Sequence, residues 1–286
     1  MNHSTPHPAP PPDTGPTEST SPARVRDSRG QPPPLLAQSA PERPPAPAVQ
    51  QDDPVPSSAA VPRHLAVILD GNRRWAHKHH LPVTVAYQAG AQRVHDLVTW
   101  CEGAHIRYVT VWALSQDNLH RDPAAVTDIL HAITTGLRAM AATRRWYIRA
   151  IGALDLLPAE HAEALRALEE DTRGIAGVTL NAAVAYSGRG DIVDAVHTLT
   201  QQRGADGEHD QPVTEHLVAR HLSTAGQPDI DLVIRTSGEQ RLSGFMPWQT
   251  AEAELYFTDA DWPGFTHDDF LRALHSYAGR DRRHGL

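Results

Sequence analysis

The chain has 286 residues, a net charge of −8 at pH 7 and a single cysteine, Cys101. One cysteine excludes an internal disulfide framework and a cysteine-rich metal site, and this usage is typical of a cytoplasmic protein. The negative net charge argues against a general binder of nucleic acid or of anionic membrane surfaces. If the protein binds small anions, it therefore has to concentrate its arginines locally.

The first sixty residues differ in composition from the rest of the chain. They hold most of the 24 prolines and almost no aliphatic runs, so they cannot bury enough apolar surface to offset the entropy of ordering. We predict a disordered tail over 1–62 and one folded domain over 63–286. The tail lacks the pattern of a signal peptide, and no later stretch is long and apolar enough to span a bilayer.

Apolar, β-branched runs alternate with amphipathic stretches in the predicted domain. Strands are predicted at 64–69, 108–114, 178–184, 230–234 and 254–257. Helices are predicted near 88–103, 124–143, 159–172, 190–203 and 266–281. This alternation predicts an α/β fold with a mostly parallel central sheet flanked by helices. Ligands of such folds bind beyond the carboxyl ends of the strands.

Polar residues follow the first four predicted strands, at the point where each strand ends. The clusters cover residues 70–75, 115–118, 186–189 and 235–243. Because parallel strands share one carboxyl edge, we expect these clusters to meet in space although they are far apart in the chain. The sequence therefore predicts a site at that edge. No Walker-type loop and no Gly-x-Gly-x-x-Gly accompanies it, so nucleotide binding gains no support.

The first cluster, Asp70-Gly-Asn-Arg-Arg-Trp75, has the composition of a phosphate cradle between a strand and a helix. Gly71 permits close approach of the backbone, the helix N-terminus offers N–H groups, and two arginines follow. Asp70 is placed to hold a cation that bridges phosphate oxygens. An ordinary tight turn with Asp70 as helix cap fits these residues equally well.

A second basic element contains Arg235, Arg241 and Ser243. Arginine forks match phosphate oxygens and a hydroxyl adds a donor, which favours a second anion site. The alternative is a loop stabilised by arginine contacts to carbonyl groups. Glu254 begins the last predicted strand, where it either completes a metal site with Asp70 or, more commonly, faces solvent. Two anion cradles and one cation indicate two diphosphate substrates.

Two long segments carry a specific pattern: His64-Leu-Ala-Val-Ile-Leu-Asp-Gly-Asn-Arg-Arg-Trp75 and Asp231-Leu-Val-Ile-Arg-Thr-Ser-Gly-Glu-Gln-Arg-Leu-Ser243. They resemble the first and last signature motifs of cis-prenyltransferases, the undecaprenyl diphosphate synthase family. Ala253-Glu-Leu-Tyr-Phe-Thr258 and the terminal Arg283-His-Gly285 extend the similarity. The resemblance implies a parallel-sheet fold with an apolar substrate tunnel, a homodimer, and at most peripheral membrane contact through the product.

The resemblance also implies a reaction and the residues that carry it. Isopentenyl diphosphate would be joined to an allylic prenyl diphosphate with Mg²⁺, forming a Z double bond. Asp70 would be the essential metal-linked residue, Glu254 a second metal ligand, and Asn118 the residue implicated in proton removal. The implied substrate-binding residues are Gly71, Asn72, Arg73, Arg74, Trp75, Ser115, Gln116, Asp117, Arg121, Arg235, Arg241, Leu242 and Ser243.

The chain departs from the family pattern near the implied allylic site. Val83 and Tyr87 stand where the family carries an arginine and a histidine that grip the allylic diphosphate. The family's Glu-Asn-Trp-x-Arg-Pro is here Asp117-Asn-Leu-His-Arg-Asp122, and its Asn-Tyr-Gly-Gly-Arg is Ala185-Tyr-Ser-Gly-Arg189. Two alternatives to chain elongation therefore stay open. One is head-to-middle coupling, as in lavandulyl-type enzymes of the same fold, and the other is a non-catalytic partner subunit, against which the retained motif residues argue.

Overall fold

A computed structural model of the protein describes residues 61–206 and 212–280. Nearly all of the predicted tail and the terminal Arg283-His-Gly285 lie outside the described residues, so the expectations attached to them stay predictions. Over the described ranges, no helix is long and apolar enough to cross a membrane.

Six parallel strands form the central sheet of the described part. They are β1 (His64–Ile68), β2 (Tyr108–Trp112), β3 (Tyr147–Ile151), β4 (Thr179–Ala183), β5 (Leu232–Arg235) and β6 (Glu254–Phe257). Their order across the sheet is β3-β4-β2-β1-β5-β6, and every neighbouring pair is parallel. The predicted α/β class with a parallel sheet is confirmed.

Seven α-helices accompany these strands within residues 61–206 and 212–280. They are α1 (Asn72–Lys78), α2 (Val83–Gly103), α3 (Pro123–Ala142), α4 (Ala159–Thr172), α5 (Gly188–Asp206), α6 (Glu215–Ala219) and α7 (His267–Ala278). Local chemistry explains two of their starts. The carboxylate of Asp122 accepts hydrogen bonds from the first N–H groups of α3, and Thr266 and Asp269 form a reciprocal capping box at α7.

The sequence analysis missed β3 and α6, for different physical reasons. β3 is an edge strand, and its Tyr147-Ile-Arg-Ala-Ile151 sequence contains an arginine at the centre, so no continuous apolar run marks it. The guanidinium of Arg149 leaves the sheet and donates to the carbonyl of Ser223 at 3.0 Å. α6 has five residues, which is too few for a helical period to be recognised.

The central strand β1 is buried along its whole length and fixes the position of the site. Leu65 and Val67 point into a large apolar cluster formed with α2, α3, α4 and α7, whereas Ala66 and Ile68 point into a smaller cluster with Phe245. Apolar side chains on both faces explain the continuous apolar run in the sequence. Because β1 ends at Ile68, the polar residues that follow it emerge at the carboxyl edge between β2 and β5.

Candidate functional site

An open cleft of about 850 Å³ lies at the carboxyl ends of β1, β2 and β5. The structure brings residues from three of the four predicted polar clusters into its lining. The predicted site residues found there are Asp70, Gly71, Asn72, Arg73, Arg74, Ser115, Asn118, Arg121, Arg235, Arg241 and Ser243.

Four other predicted site residues stay outside the lining of the cleft. Trp75 stacks against His79, with 4.3 Å between the ring centroids. Leu242 packs against the smaller core cluster, and Asp117 is exposed to solvent. The backbone N–H of Gln116 donates to the carbonyl of Tyr186 at 3.0 Å. These side chains lie next to the site without facing it.

Glu254 lies away from the cleft of its own chain. It is the first residue of β6, and its register partner Leu232 pairs in turn with Leu65 of β1. Leu65 precedes Asp70 by five residues, so the two carboxylates are about 17 Å apart along the strand direction. Glu254 accepts a hydrogen bond from Arg280 at 2.5 Å. The expectation that Glu254 and Asp70 share one metal within a chain is therefore corrected, because they lie towards opposite ends of the sheet.

The turn after β1 is built around Gly71, which has a φ of +105° and occupies the N-cap position of α1. Among the described residues, no side chain caps this helix, so the interpretation of Asp70 as an ordinary helix cap does not hold. A Cβ at residue 71 would come within 2.6 Å of Oδ1 of Asp261 and within 2.8 Å of Oγ of Ser237. Glycine is therefore required both for the backbone angle and for the close approach.

Asp70 lies between two arginines from separate parts of the chain. Its Oδ1 accepts a hydrogen bond from Arg74 at 3.1 Å, and its Oδ2 accepts one from Arg235 at 3.0 Å. Each carboxylate oxygen keeps further lone pairs, and the side chain is partly exposed to the cleft. Carboxylate oxygens of this kind suit a hard divalent cation.

The two arginines of the second basic element have different environments. Arg235 is buried, and its Nη1 donates to Oγ of Ser243 at 2.9 Å and to the carbonyl oxygen of Arg241. The guanidinium of Arg241 is 62% exposed and pairs with Glu239. Arg235 therefore stabilises the loop, as the alternative interpretation proposed, whereas Arg241 presents its charge to the cleft.

Tyr87 lines the cleft, whereas Val83 does not and is 37% exposed at the start of α2. Burial raises the pKa of Tyr87, and the nearby charges of Arg121 and Arg73 oppose that rise. Burial also lowers the pKa of Arg121, with the charge of Arg73 acting in the same direction. The tyrosine hydroxyl and two guanidiniums thus share this wall of the cleft, and Tyr87 stands where the family pattern has a histidine.

Among the polar and aromatic residues that line the cleft, sequence reasoning missed His77, Lys78 and Trp112. His77 and Lys78 follow Arg73 and Arg74 by four residues, so one turn of helix α1 places them on the same face. That four-residue spacing could have predicted that His77 and Lys78 line the cleft. Trp112 ends β2 and stacks on Phe245, with 5.0 Å between the ring centroids. This contact joins distant residues, so no local sequence pattern predicts it.

The cleft concentrates positive charge in a chain of negative net charge. Its lining includes six cationic side chains and one carboxylate, that of Asp70. The cations are Arg73, Arg74, Lys78, Arg121, Arg235 and Arg241. Such a one-sided distribution focuses the field and favours a polyanionic ligand.

An apolar cavity of about 70 Å³ adjoins the cleft beneath α2 and α3. Leu69, Asn72, Tyr87, Ala113 and Ile129 line both spaces, so they form the boundary between the charged and the apolar part. A continuous tunnel stays a prediction.

The fold and the cleft define a parallel α/β protein in which a carboxylate lies among arginines from two segments of the chain. The sequence profile described as “Putative undecaprenyl diphosphate synthase” matches residues 68–285. The chain belongs to this family.

Two curated relatives within this family are similar to the chain over most of its length. The chain is 45% identical over 235 residues to a short-chain Z-isoprenyl diphosphate synthase from Mycobacterium bovis, covering 80% of this chain and 90% of the relative. It is 45% identical over 238 residues to a (2Z,6E)-farnesyl diphosphate synthase from Mycolicibacterium smegmatis, covering 81% and 90%.

Solved structures agree with this placement. Lavandulyl diphosphate synthase from Lavandula x intermedia, in complex with dimethylallyl diphosphate, superposes with a TM-score of 0.76 at 31% identity. The match covers 80% of this chain and all of that one. A probable undecaprenyl diphosphate synthase from Campylobacter jejuni gives a TM-score of 0.66 at 25% identity, over 79% of this chain and 99% of that chain.

The turn at Gly71 yields a stability prediction. Gly71→Ala should lower the free energy of unfolding in urea by about 3 kcal/mol, because a strained φ and a collision with Asp261 add together. Gly226 is a matched control, since its φ is +82° and, apart from its two chain neighbours, none of the described residues has an atom within 4 Å of an added Cβ. Gly226→Ala should lose only about 1 kcal/mol. Equal losses in the two variants would show that the contact beneath Gly71 carries no energy.

Proposed function

We propose that the protein joins isopentenyl diphosphate to an allylic prenyl diphosphate and releases diphosphate, forming a Z-prenyl diphosphate. The observation that carries this proposal is the placement of arginines from two segments of the chain around Asp70, next to an apolar cavity. Two diphosphates need two cationic sites, and a prenyl chain needs an apolar space. The names of the two curated relatives at 45% identity support the same reaction.

The allylic diphosphate is assigned to the wall formed by the Gly71 turn, Arg73, Arg74 and Arg121. Asn72, next to Gly71 in this turn, lines both the cleft and the apolar cavity, so the prenyl tail can enter that cavity while the diphosphate stays in the charged cleft. As the allylic C1–O bond breaks, negative charge grows on the departing diphosphate. Preorganised guanidinium groups stabilise that charge without having to reorganise.

Isopentenyl diphosphate is assigned to Arg241 and Ser243, which Arg235 fixes in place. Asn118 lines the same cleft from the short helical segment Gln116–His120 that follows β2, and β2 neighbours β1 on the side away from β5. This placement suits the role in proton removal that the family resemblance implies. After the new carbon–carbon bond forms, a proton leaves the former isopentenyl unit and a Z double bond remains.

A divalent cation, Mg²⁺, is part of the proposal. Among the described residues, no three His, Cys, Asp or Glu side chains are grouped to hold a metal. Asp70 would therefore hold the ion together with diphosphate oxygens, which is the way Mg²⁺ commonly binds. When bound, the ion supplies charge neutralisation to the departing diphosphate.

Head-to-middle coupling is not favoured. The relatives at 45% identity are named Z-isoprenyl and farnesyl diphosphate synthases, whereas the lavandulyl enzyme is 31% identical. Nor does the cleft resemble that of an inactive partner subunit, since Asp70 and its two arginines are all in place.

A homodimer is proposed from the family resemblance, and one surface supports it. Helix α5 exposes Val193 (65%) and Val196 (39%), which lie three residues apart on one face. A second copy of the chain would cover these apolar side chains. Light scattering at micromolar concentration would measure the assembly directly.

The reaction is tested with purified protein, Mg²⁺, labelled isopentenyl diphosphate and a series of allylic starters. The wild-type protein should form labelled Z-prenyl diphosphate, and a chelator should abolish the product. Asp70→Asn keeps the shape of the side chain but removes its charge, so turnover should fall about a hundredfold or more. Near-normal turnover of a folded Asp70→Asn protein would refute the assigned role of Asp70.

Arg241 gives the cleanest test of the isopentenyl site. It is exposed, whereas loss of the buried Arg235 would also leave Asp70 without one partner. Arg241→Ala should raise the KM for isopentenyl diphosphate about tenfold and change that for the allylic substrate little. Arg166→Ala is the control, because Arg166 is exposed on α4 and lies outside the cleft lining. An unchanged KM for isopentenyl diphosphate in Arg241→Ala would place this substrate elsewhere.

A further inference from the structure

Asp261, which follows β6, is a buried carboxylate beneath the cleft. Its side chain is only 5% exposed. Oδ2 accepts a hydrogen bond from Nζ of Lys78 at 2.6 Å, and Oδ1 accepts one from Oγ of Ser237 at 2.7 Å. Lys78 belongs to α1 and Ser237 to the loop after β5. One carboxylate therefore joins the two segments that build the two anion sites.

The same carboxylate supports the turn that carries Gly71. An added Cβ on Gly71 would lie 2.6 Å from Oδ1 and 2.9 Å from Cα of Asp261, so the turn rests directly on this residue. The neighbouring backbone is tied in as well. The N–H of Trp262 donates to the carbonyl of Asp70 at 2.9 Å, and the N–H of Ser237 donates to that of Ala260 at 2.8 Å.

Arg74 connects the loop after β5 to Asp70 by a second set of hydrogen bonds. Nη1 of Arg74 donates to the carbonyl oxygen of Ser237 at 3.0 Å, while its Nη2 reaches Asp70. Ser237 thus receives Arg74 on its carbonyl and binds Asp261 through its hydroxyl. A shift of Asp261 would be transmitted to the orientation of Arg74 and of the Gly71 turn.

Electrostatic attraction of an anionic ligand does not explain why the carboxylate of Asp261 lies beneath the cleft. A negative charge beneath an anion site repels the ligand, so its presence requires another role. Burial by itself raises the pKa of Asp261, but hydrogen bonds from Lys78 and Ser237 and the charges of Lys78 and Arg74 bring it below the ordinary value. Asp261 is therefore ionised at neutral pH.

We propose that Asp261 is a positioning residue for the allylic diphosphate, acting through Lys78 and Ser237 on the Gly71 turn. It touches no substrate. It holds α1 and the loop after β5 in the relative position that aims Arg74 and the turn at one diphosphate group. This inference rests on the proposed function for the identity of the ligand, but the contacts that carry it do not depend on that function.

The test compares Asp261→Asn with Asp259→Asn. Both variants remove one negative charge, but Asp259 is exposed and lies two residues away. Binding of inorganic diphosphate with Mg²⁺ is measured by isothermal titration calorimetry, which requires no turnover. Positioning predicts that Asp261→Asn weakens binding about fivefold or more, and that Asp259→Asn binds as the wild type does. Coulomb's law predicts the opposite sign, because loss of a negative charge favours an anion.

Steady-state kinetics supply a second readout that a general loss of structure would not produce. Asp261→Asn should raise the KM for the allylic diphosphate about fivefold and leave that for isopentenyl diphosphate within about twofold of the wild type. If Asp261→Asn does not fold, Ser237→Ala takes its place, because it removes one partner of Asp261 without changing any charge. Ser237→Ala should weaken diphosphate binding in the same direction.

The outcomes separate the two proposals. A wild-type protein that binds diphosphate but forms no prenyl product contradicts the proposed function, and the calorimetric comparison still tests Asp261. Equal or tighter diphosphate binding by Asp261→Asn overturns the positioning role. That role is also overturned if Asp259→Asn weakens binding as much, or if Ser237→Ala, used as the replacement, binds as the wild type does.

Discussion

The ion pairs of Asp70 with Arg74 and Arg235 are the interaction on which the site depends. Arg74 lies one helical turn after Asp70, and Arg235 ends the neighbouring strand β5. The parallel pairing of β1 with β5 sets Ile68 opposite Arg235, which brings the two segments within reach of one carboxylate. The sheet register therefore decides where the arginines around Asp70 lie. The proposed chemistry places the breaking and forming bonds between them, beside Asp70.

Much of this arrangement could be predicted because it depends on local sequence and on strand order. Buried apolar runs identified β1, β2, β4 and β5, and the short strand predicted after them corresponds to β6. The polar residues after β1, β2 and β5 meet in the cleft as expected. The edge strand β3 could not be identified, because an arginine interrupts its apolar pattern. The prediction for Glu254 failed within one chain because it considered residue type without the register, and the register places Glu254 at the start of its strand.

Other features depend on contacts between distant residues, which no local pattern shows. The contact of Asp261 with Lys78 joins residues that are 183 positions apart. The different environments of Arg235 and Arg241 also become visible only in the folded loop, although both belong to one motif. Val83 and Tyr87 illustrate the same limit of prediction from sequence. The sequence shows that two family residues are replaced, but only the structure shows that two guanidiniums lie near Tyr87. In each case burial and pairing decide the role that a residue type leaves open.

The central claim is that two diphosphates bind on either side of Asp70. A crystal structure with Mg²⁺, isopentenyl diphosphate and an unreactive thio-analogue of the allylic diphosphate would test it most directly. We expect an oxygen of Asp70 at about 2.1 Å from the metal, one diphosphate at the Gly71 turn with Arg74, and the other at Arg241 and Ser243. Both diphosphates on the same side of Asp70, or a metal bound without Asp70, would contradict the account.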